Sequence, residues 1–470
     1  MKEEMRVEKD SIGTMEVPKE AYYGVQALRA RQNFQISGTF LNPVFVQNLA
    51  KVKKAAAITN RENNNLEEEK AEAIIRSCDE IIKGRFFEEF IVDAIQGGAG
   101  TSANMNMNEV IANRANEWMG GRKGDYSRIH PNDHVNMSQS TNDVIPSAGK
   151  LTVIDLAKTL IAELDKLEKE LLIKSVEFDD VLKMGRTQLQ DAVPMRMGQT
   201  FHAYASMVKR DKSRIKDGFR EMYTLNLGGT AIGSGVNASK EYVEHVVPAL
   251  AKITGYPLKQ ADDLFDATQN LDGFVIMSGI MKTCAVNLSK MCNDLRLLSS
   301  GPRTGLNELH LPERQNGSSI MPGKINPVIP EVVNQVAFHV IGHDTTITLA
   351  AEAGQMELNA FEPIIFYNLF ESITMLKYAV ETLTNNCIKG ITVNKERCNE
   401  LVNTSVGIAT VLCPQIGYSK SAEIAKTALR TGKSVKKIVL ESGIMNEIAL
   451  ARVLDPYSAT EWKKESKQVI

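Results

Sequence analysis

The sequence has no paired cysteines: Cys78, Cys284, Cys292, Cys387, Cys398 and Cys413 lie far apart, with no Cys-x-x-Cys pair. That excludes a disulfide-stapled secreted scaffold and reads as reduced thiols, mostly in the core. Charge of one sign is not in excess either, since 55 Lys and Arg stand against 57 Asp and Glu for a net charge of −2. No global field draws nucleic acid or an anionic membrane, so any anion site is local. There is no run of about 18 apolar residues, which excludes a membrane-spanning helix. The charged opening MKEEMRVEKD lacks the apolar stretch of a signal peptide, and the chain is expected to be soluble and cytoplasmic. Trp118 and Trp462 are isolated, and no aromatic residues interleave with basic ones as on a nucleic-acid surface. A P-loop, a Gly-x-Gly-x-x-Gly fingerprint and a Gly-x-Ser-x-Gly elbow are all missing, which removes support for nucleotide binding and for a Ser-His-Asp hydrolase.

What is present is material for a large helical core. The chain has 470 residues, 43% hydrophobic and 24% charged, close to soluble globular averages. At about 150 residues per unit the length suggests roughly three domains, or one long core with appendages. Apolar residues recur at spacings of three and four, which puts them on one stripe of a helix. Val153, Ala157, Leu160, Leu164, Leu167 and Leu171 form one stripe; Met277, Met281, Cys284, Leu288, Met291, Leu295 and Leu298 form another, stopped by Gly301 and Pro302. A third runs Leu369, Ile373, Leu376, Val380 and Leu383, and a less regular one Phe201, Tyr204, Val208, Ile215, Phe219 and Met222. Strand signals are sparse. The reading is mainly α, with an N-terminal domain at 1–141, a central bundle of long helices at 142–396, and a small helical domain at 397–470 around Gly417, Gly432 and Gly443. The stripes outnumber what one slender bundle needs, so some are expected to pack against other subunits.

Four segments concentrate Gly, Ser, Thr and Asn between apolar elements: Gly97–Ser102, Ser138–Asp143, Gly185–Asp191 and Gly317–Pro327. Backbone and short hydroxyl donors can surround an anion in such places, although each segment taken singly is also an ordinary turn or helix cap. The fourth is the least ordinary, with adjacent Ser318 and Ser319 close to Lys324 and Asn326 among Gly and Pro hinges. That combination suits a lid with an anion grip. Two histidine pairs, His130 with His134 and His339 with His343, have the i,i+4 spacing of helical metal ligands, but neither carries the glutamate of His-Glu-x-x-His. Neither pair is expected to hold zinc, and the second reads as two positions on one ordinary helix turn. No metal is expected in the catalytic centre.

The segment GSSIMPGKINP at Gly317–Pro327 resembles the signature loop of the aspartase and fumarase superfamily, and GGAGTSANMN, SQSTND and GRTQLQDAVP resemble its three further signature regions. The likeness extends from about residue 6 to residue 455. It implies a three-domain subunit, a homotetramer whose central helices join in one multi-helix core, and active sites that each draw on three subunits. It also implies anti-elimination of ammonia from L-aspartate to give fumarate through an aci-carboxylate intermediate. No organic cofactor is required in this reading, and room is left for activation by a divalent cation such as magnesium. By the same resemblance Ser318 is the general base, and Thr101, Ser140, Thr141, Thr187 and Ser319 ring the developing charge. Lys324 and Asn326 hold the other carboxylate, and Asn142 and Gln188 face the leaving amino group.

The alternative within the family is a class II fumarase acting on malate. Fumarases resembling this chain place a histidine where Gln188 stands and usually read Ser-Ser-Asn-Asp where this chain has Ser140-Thr141-Asn142-Asp143. A departing hydroxyl needs a proton donor, whereas an ammonium group carries its own proton. One feature leans the other way: His130-Pro131-Asn132-Asp133 resembles a peripheral anion site of fumarases, although the same residues suit a turn and helix cap. Some superfamily members are non-catalytic lens proteins, and intact Ser318, Lys324, Asn326 and Thr101 argue against that reading.

Overall fold

Apolar stripes at helical period are buried by helices lying against helices, and that is what the computed structural model contains in its described residues, 4–455, 457 and 460. A short antiparallel hairpin, β1 (Met5–Lys9) with β2 (Thr14–Pro18), precedes α1 (Val25–Asn33), α2 (Pro43–Glu62), α3 (Glu68–Ile82) and α4 (Thr101–Trp118). The long α5 (Thr141–Glu177) leads to a second hairpin, β3 (Leu182–Thr187) with β4 (Gln190–Arg196), and then to α6 (Met197–Tyr223). After α7 (Lys240–Thr254) and α8 (Leu264–Gln269) come α9 (Asp272–Leu298), α10 (Val328–Glu352) and α11 (Glu362–Asn386). Five shorter helices follow, α12 (Lys395–Thr404), α13 (Ala409–Ile416), α14 (Tyr418–Thr431), α15 (Val435–Glu441) and α16 (Glu447–Val453). Among the described residues no sheet exceeds two strands, and no helix is long and apolar enough to cross a membrane.

The chain divides into two units, Met1–Ile161 with Ser213–Ala285 and Phe338–Lys377, and Ala162–Lys212 with Val286–Ala337 and Tyr378–Ile470. In the first, segments of all five long helices pack together. Gly149 of α5 lies where a Cβ would be 2.4 Å from the Phe366 ring of α11, and Gly218 of α6 where one would be 2.5 Å from Met277 of α9. Phe274 meets Phe366 edge-on at 5.2 Å, and Ser278 of α9 donates to Asp344 of α10 at 2.8 Å. In the second unit Lys212 of α6 pairs with Asp165 and Glu168 of α5, Tyr204 of α6 donates to Asp294 of α9, and Asn334 of α10 donates to the Ser289 hydroxyl of α9.

Every residue of the four stripes is buried. Burying the Val153–Leu171 stripe alone is worth on the order of 10 kcal/mol gross, at about 1.5 to 3 kcal/mol per large aliphatic side chain. Five of the six cysteines are buried and all six are free thiols. Helix ends follow local chemistry: α5 opens with Ser140, whose hydroxyl accepts from Asn142 N while its own N–H donates to Asp143, a reciprocal cap. Gly417 and Gly432 close α13 and α14 at positive φ. One segment departs from the sequence reading: Gly185–Asp191 is not an open loop but lies on the β3–β4 hairpin and its turn.

Candidate active site

The first unit holds the starts of α4 and α5. Gly98, Ala99 and Gly100 are all left-handed, at φ +84°, +55° and +87°, and this run turns the chain sharply into α4. A Cβ on Gly100 would sit 2.9 Å from Ile145 of α5, so glycine lets the two helix starts approach each other. One turn on, Asn104 Nδ2 donates to Thr141 Oγ1 at 3.1 Å. Thr141 Oγ1 accepts there on one lone pair, and its hydroxyl proton is left to donate elsewhere. Thr101 Oγ1 donates to Gly98 O at 2.7 Å, so it must give up that bond to serve an anion. Thr101 is thereby grouped with Ser140, Thr141 and Asn142.

Beneath them lies a buried polar network. Lys53 Nζ donates to Asn136 Oδ1 at 2.9 Å and to Gln139 Oε1 at 3.0 Å, and Asn136 Oδ1 also accepts from Asn104 and Asn108. Burial pushes the Lys53 ammonium down to about 7, against the opposing pull of Asp143. Burial also raises the Asp143 carboxyl to about 6, although it accepts from Ser140 N, Gly228 N and Thr230 N. Asn142 Nδ2 is committed to Ala231 O at 2.7 Å, which leaves its Oδ1 as an acceptor suited to an ammonium group. Sequence reasoning missed Lys53, Asn104, Asn136 and Asp143 as the support of this set. A signal existed in the alternation Asn104, Asn106, Asn108, because asparagine is a poor residue for a helix interior unless its amide has work there.

The second unit holds the hairpin turn and the Gly317–Pro327 loop. Gln188 and Leu189 are both left-handed, at φ +53° and +61°, in a two-residue turn between Thr187 and Gln190. That geometry normally selects Asn-Gly, and two side-chain-bearing residues there hold strain of about 1 to 3 kcal/mol each. The hairpin is anchored away from its tip: Arg186 Nη1 donates to the buried Glu308 at 2.7 Å, and Asp191 accepts from Ser405 Oγ at 2.7 Å. Thr187 and Gln188 are left exposed.

In the loop, Ser318 Oγ accepts from Ile320 N at 3.2 Å and from Met321 N at 2.9 Å. Two N–H groups aimed at one oxygen favour its negative form, which is what a serine serving as base requires. Asn326 Nδ2 donates to Gly317 O at 2.5 Å and closes the base of the loop, where a Cβ on Gly317 would collide with Lys324 O at 2.1 Å. Ser318, Lys324 and Asn326 therefore belong to one closed loop, with Ser319 and Lys324 exposed on it. A cavity of about 760 Å³ lies beside the loop, lined by Lys324 and Asn326 with Arg296, His310 and Glu331 among others. His130–Asp133 takes the form of a capped turn: His130 Nδ1 accepts from Asn132 N and Asp133 N, and His130 N donates to His134 Nδ1.

Comparison with known proteins adds to this geometry. The family model described as Lyase matches residues 13–342, and that described as Fumarase C C-terminus matches residues 408–461. The aspartate ammonia-lyase of Pseudomonas aeruginosa is 56% identical over 454 residues, 96% of either chain. The cobalt-bound crystal structure described as fumarate lyase:delta crystallin from Brucella melitensis superposes with a TM-score of 0.94 at 50% identity, covering 96% of this chain and 99% of that one. A recombinant class II fumarase from Schistosoma mansoni superposes with a TM-score of 0.91 at 35% identity, covering 96% and 98%.

Proposed function

Because the chain belongs to this lyase family, we propose that it catalyses the reversible anti-elimination of ammonia from L-aspartate to give fumarate. Family membership narrows the reaction to elimination from a dicarboxylate, and a single observation carries the substrate. Gln188, at the exposed tip of a strained turn, offers an amide oxygen to an ammonium group and has no acidic proton for a departing hydroxyl. The 56% identity to an aspartate ammonia-lyase, against 35% to a fumarase, supports the same choice.

The chemistry explains the donors. Ser318 Oγ takes the proton from the carbon beside one carboxylate, and the electron pair moves into that carboxylate to form a dianionic aci-carboxylate. The pair then returns, forms the double bond and expels the amine as neutral ammonia. Donors aimed at the developing charge are worth about 2.7 to 4 kcal/mol each, so a ring of Thr101, Ser140, Thr141, Thr187 and Ser319 supplies much of the stabilisation. Lys324 with Asn326 holds the second carboxylate by charge-assisted hydrogen bonds. No organic cofactor enters these steps.

The same reading makes the protein a cytoplasmic homotetramer whose subunit divides at 1–141, 142–396 and 397–470. Each active site then takes its residues from three subunits, so the sets in the two units of one chain need not meet each other. Apolar side chains left exposed on the long helices support this, among them Val286 on α9 and Phe338 and Leu349 on α10. Fumarate formation from L-aspartate and from L-malate in parallel, with ammonia assayed alongside, tests the proposal. Fumarate with equal ammonia from aspartate alone is the expected result. Fumarate from malate alone would overturn it in favour of the fumarase reading.

A further inference from the structure

A third donor beside His339 and His343, which the spacing of the pair does not reveal, comes from the next helix. The two histidines stand one turn apart on α10, with ring centroids 4.0 Å from each other. Glu371 of α11 brings one carboxylate oxygen to 3.7 Å from His339 Nε2 and 3.6 Å from His343 Nε2. One donor atom from each of the three residues lies within 4.8 Å of the other two. These carboxylate distances are too long for hydrogen bonds, so the carboxylate is not simply tied to either ring. They suit a shared ion, because two ligands at about 2.0 to 2.1 Å from a tetrahedral zinc-like ion stand about 3.4 Å apart.

The tautomer of His343 is fixed by its surroundings. Ser372 Oγ donates its only proton to Asn368 O at 2.7 Å. His343 Nδ1 lies 2.9 Å from that hydroxyl oxygen and 3.1 Å from the same carbonyl. Both neighbours can only accept from the ring, so Nδ1 carries the proton and Nε2 keeps its lone pair toward Glu371. A ligating imidazole held through its other nitrogen by a carbonyl is the usual outer support of a metal site. His343 is about nine-tenths buried. The neighbouring Asp344 is already committed, accepting from Ser278 on one oxygen and from Lys282 on the other.

We propose that His339, His343 and Glu371 bind one divalent transition ion of the zinc class, with water completing its coordination. Two imidazoles and one carboxylate suit Zn²⁺, Co²⁺ or Ni²⁺, whereas Mg²⁺ prefers a shell of oxygens. Activation by magnesium, if the protein shows it, therefore runs through other groups.

Tag-free protein, stripped with a chelator and desalted, is titrated with Co²⁺ as a visible probe. The expected result is one equivalent per chain with a d–d band that Zn²⁺ abolishes and a large excess of Mg²⁺ leaves intact. Glu371→Gln and His339→Gln replace half-exposed ligands and are each expected to weaken Co²⁺ binding at least about tenfold. Ser372→Ala, which removes only outer support, should cost about tenfold. Thermal unfolding of each variant without metal checks that the fold is kept. Absence of the band, or a band unchanged in both His339→Gln and Glu371→Gln, overturns the proposal. Because the readout is spectroscopic, it stands whether or not the protein turns over aspartate.

Discussion

The two halves of the candidate site are built in opposite ways. Thr101, Ser140, Thr141 and Asn142 stand at the starts of two long helices, and beneath them the buried Lys53, Asn104 and Asp143 and the half-buried Asn136 are hydrogen-bonded to one another's elements. Ser318, Ser319, Lys324 and Asn326 stand on a loop in which Ser318 and Asn326 bond to the loop's own backbone, and Thr187 and Gln188 at the tip of a hairpin tied down farther back. Apart from Thr101, whose proton is committed to Gly98 O, the first set is arranged to bind charge, at a cost in buried polar groups that the network offsets. The second is held more loosely, as the proposed closure of Ser318 over substrate requires. Mutations in the first half should therefore affect both stability and catalysis, and those in the second half catalysis alone.

The largest expected effect is on Ser318. Ser318→Ala should lower kcat by about 10² to 10⁴-fold, the range for loss of a general base, with folding stability within about 0.5 kcal/mol of wild type. Steady-state kinetics and chemical denaturation check both parts, and full turnover in this variant would sink the mechanism. Next comes a matched pair. Thr141→Val and Thr187→Val each remove one donor and should each cost about 10² to 10³ in kcat. Only Thr141→Val should also destabilise, by about 1 to 3 kcal/mol, because it withdraws an acceptor from the buried Asn104 amide. Equal stability in the two variants would erase the distinction between the halves.

The buried network also predicts a pH dependence. The Lys53 pKa is depressed in the folded protein to about 7, so the folded state binds fewer protons than the unfolded chain from there up to the usual lysine range. Its contribution is fully present above the unfolded value and is lost as pH falls through 7. Asp143 has the opposite sign: its carboxyl is raised to about 6, so its contribution is present below the usual aspartate range and lost as pH rises through 6. Denaturation midpoints of wild type and Lys53→Met should thus diverge as pH is raised from 7 to about 10, with wild type gaining. A constant difference across that window would mean that Lys53 stays charged in the fold.

The helices were legible because a 3.6-residue period survives in sequence wherever one face is buried, and each stripe residue from Val153 to Leu383 is found in the core. The helix start at Thr141 was legible too, as a cluster of Ser, Thr and Asn ahead of an apolar run, whereas the Gly-rich segment before Thr101 read only as a turn. The β3–β4 hairpin was not. Its turn lacks the Asn-Gly pair that announces such a bend, and the backbone pays instead for Gln188-Leu189. Nor could the sequence show Glu371 beside His339 and His343, since the three share no helix and only the packing of α11 on α10 unites them.

The smallest prediction sharpens that last contrast between local preference and site. If the turn is strained because its tip serves substrate, relieving strain at the neighbour should stabilise the fold without touching the amide that is proposed to face the ammonium. Leu189 is 72% exposed and left-handed, so Leu189→Gly loses little packing and removes about 1 to 2 kcal/mol of backbone penalty. Part of that gain is returned, because glycine leaves the unfolded chain more entropy to lose. A net gain of about 0.5 to 1 kcal/mol in denaturation is expected, with KM for aspartate rising as the Gln188 tip loosens. A loss of stability would show instead that the Leu189 side chain is held by something, and that the turn is supported rather than strained.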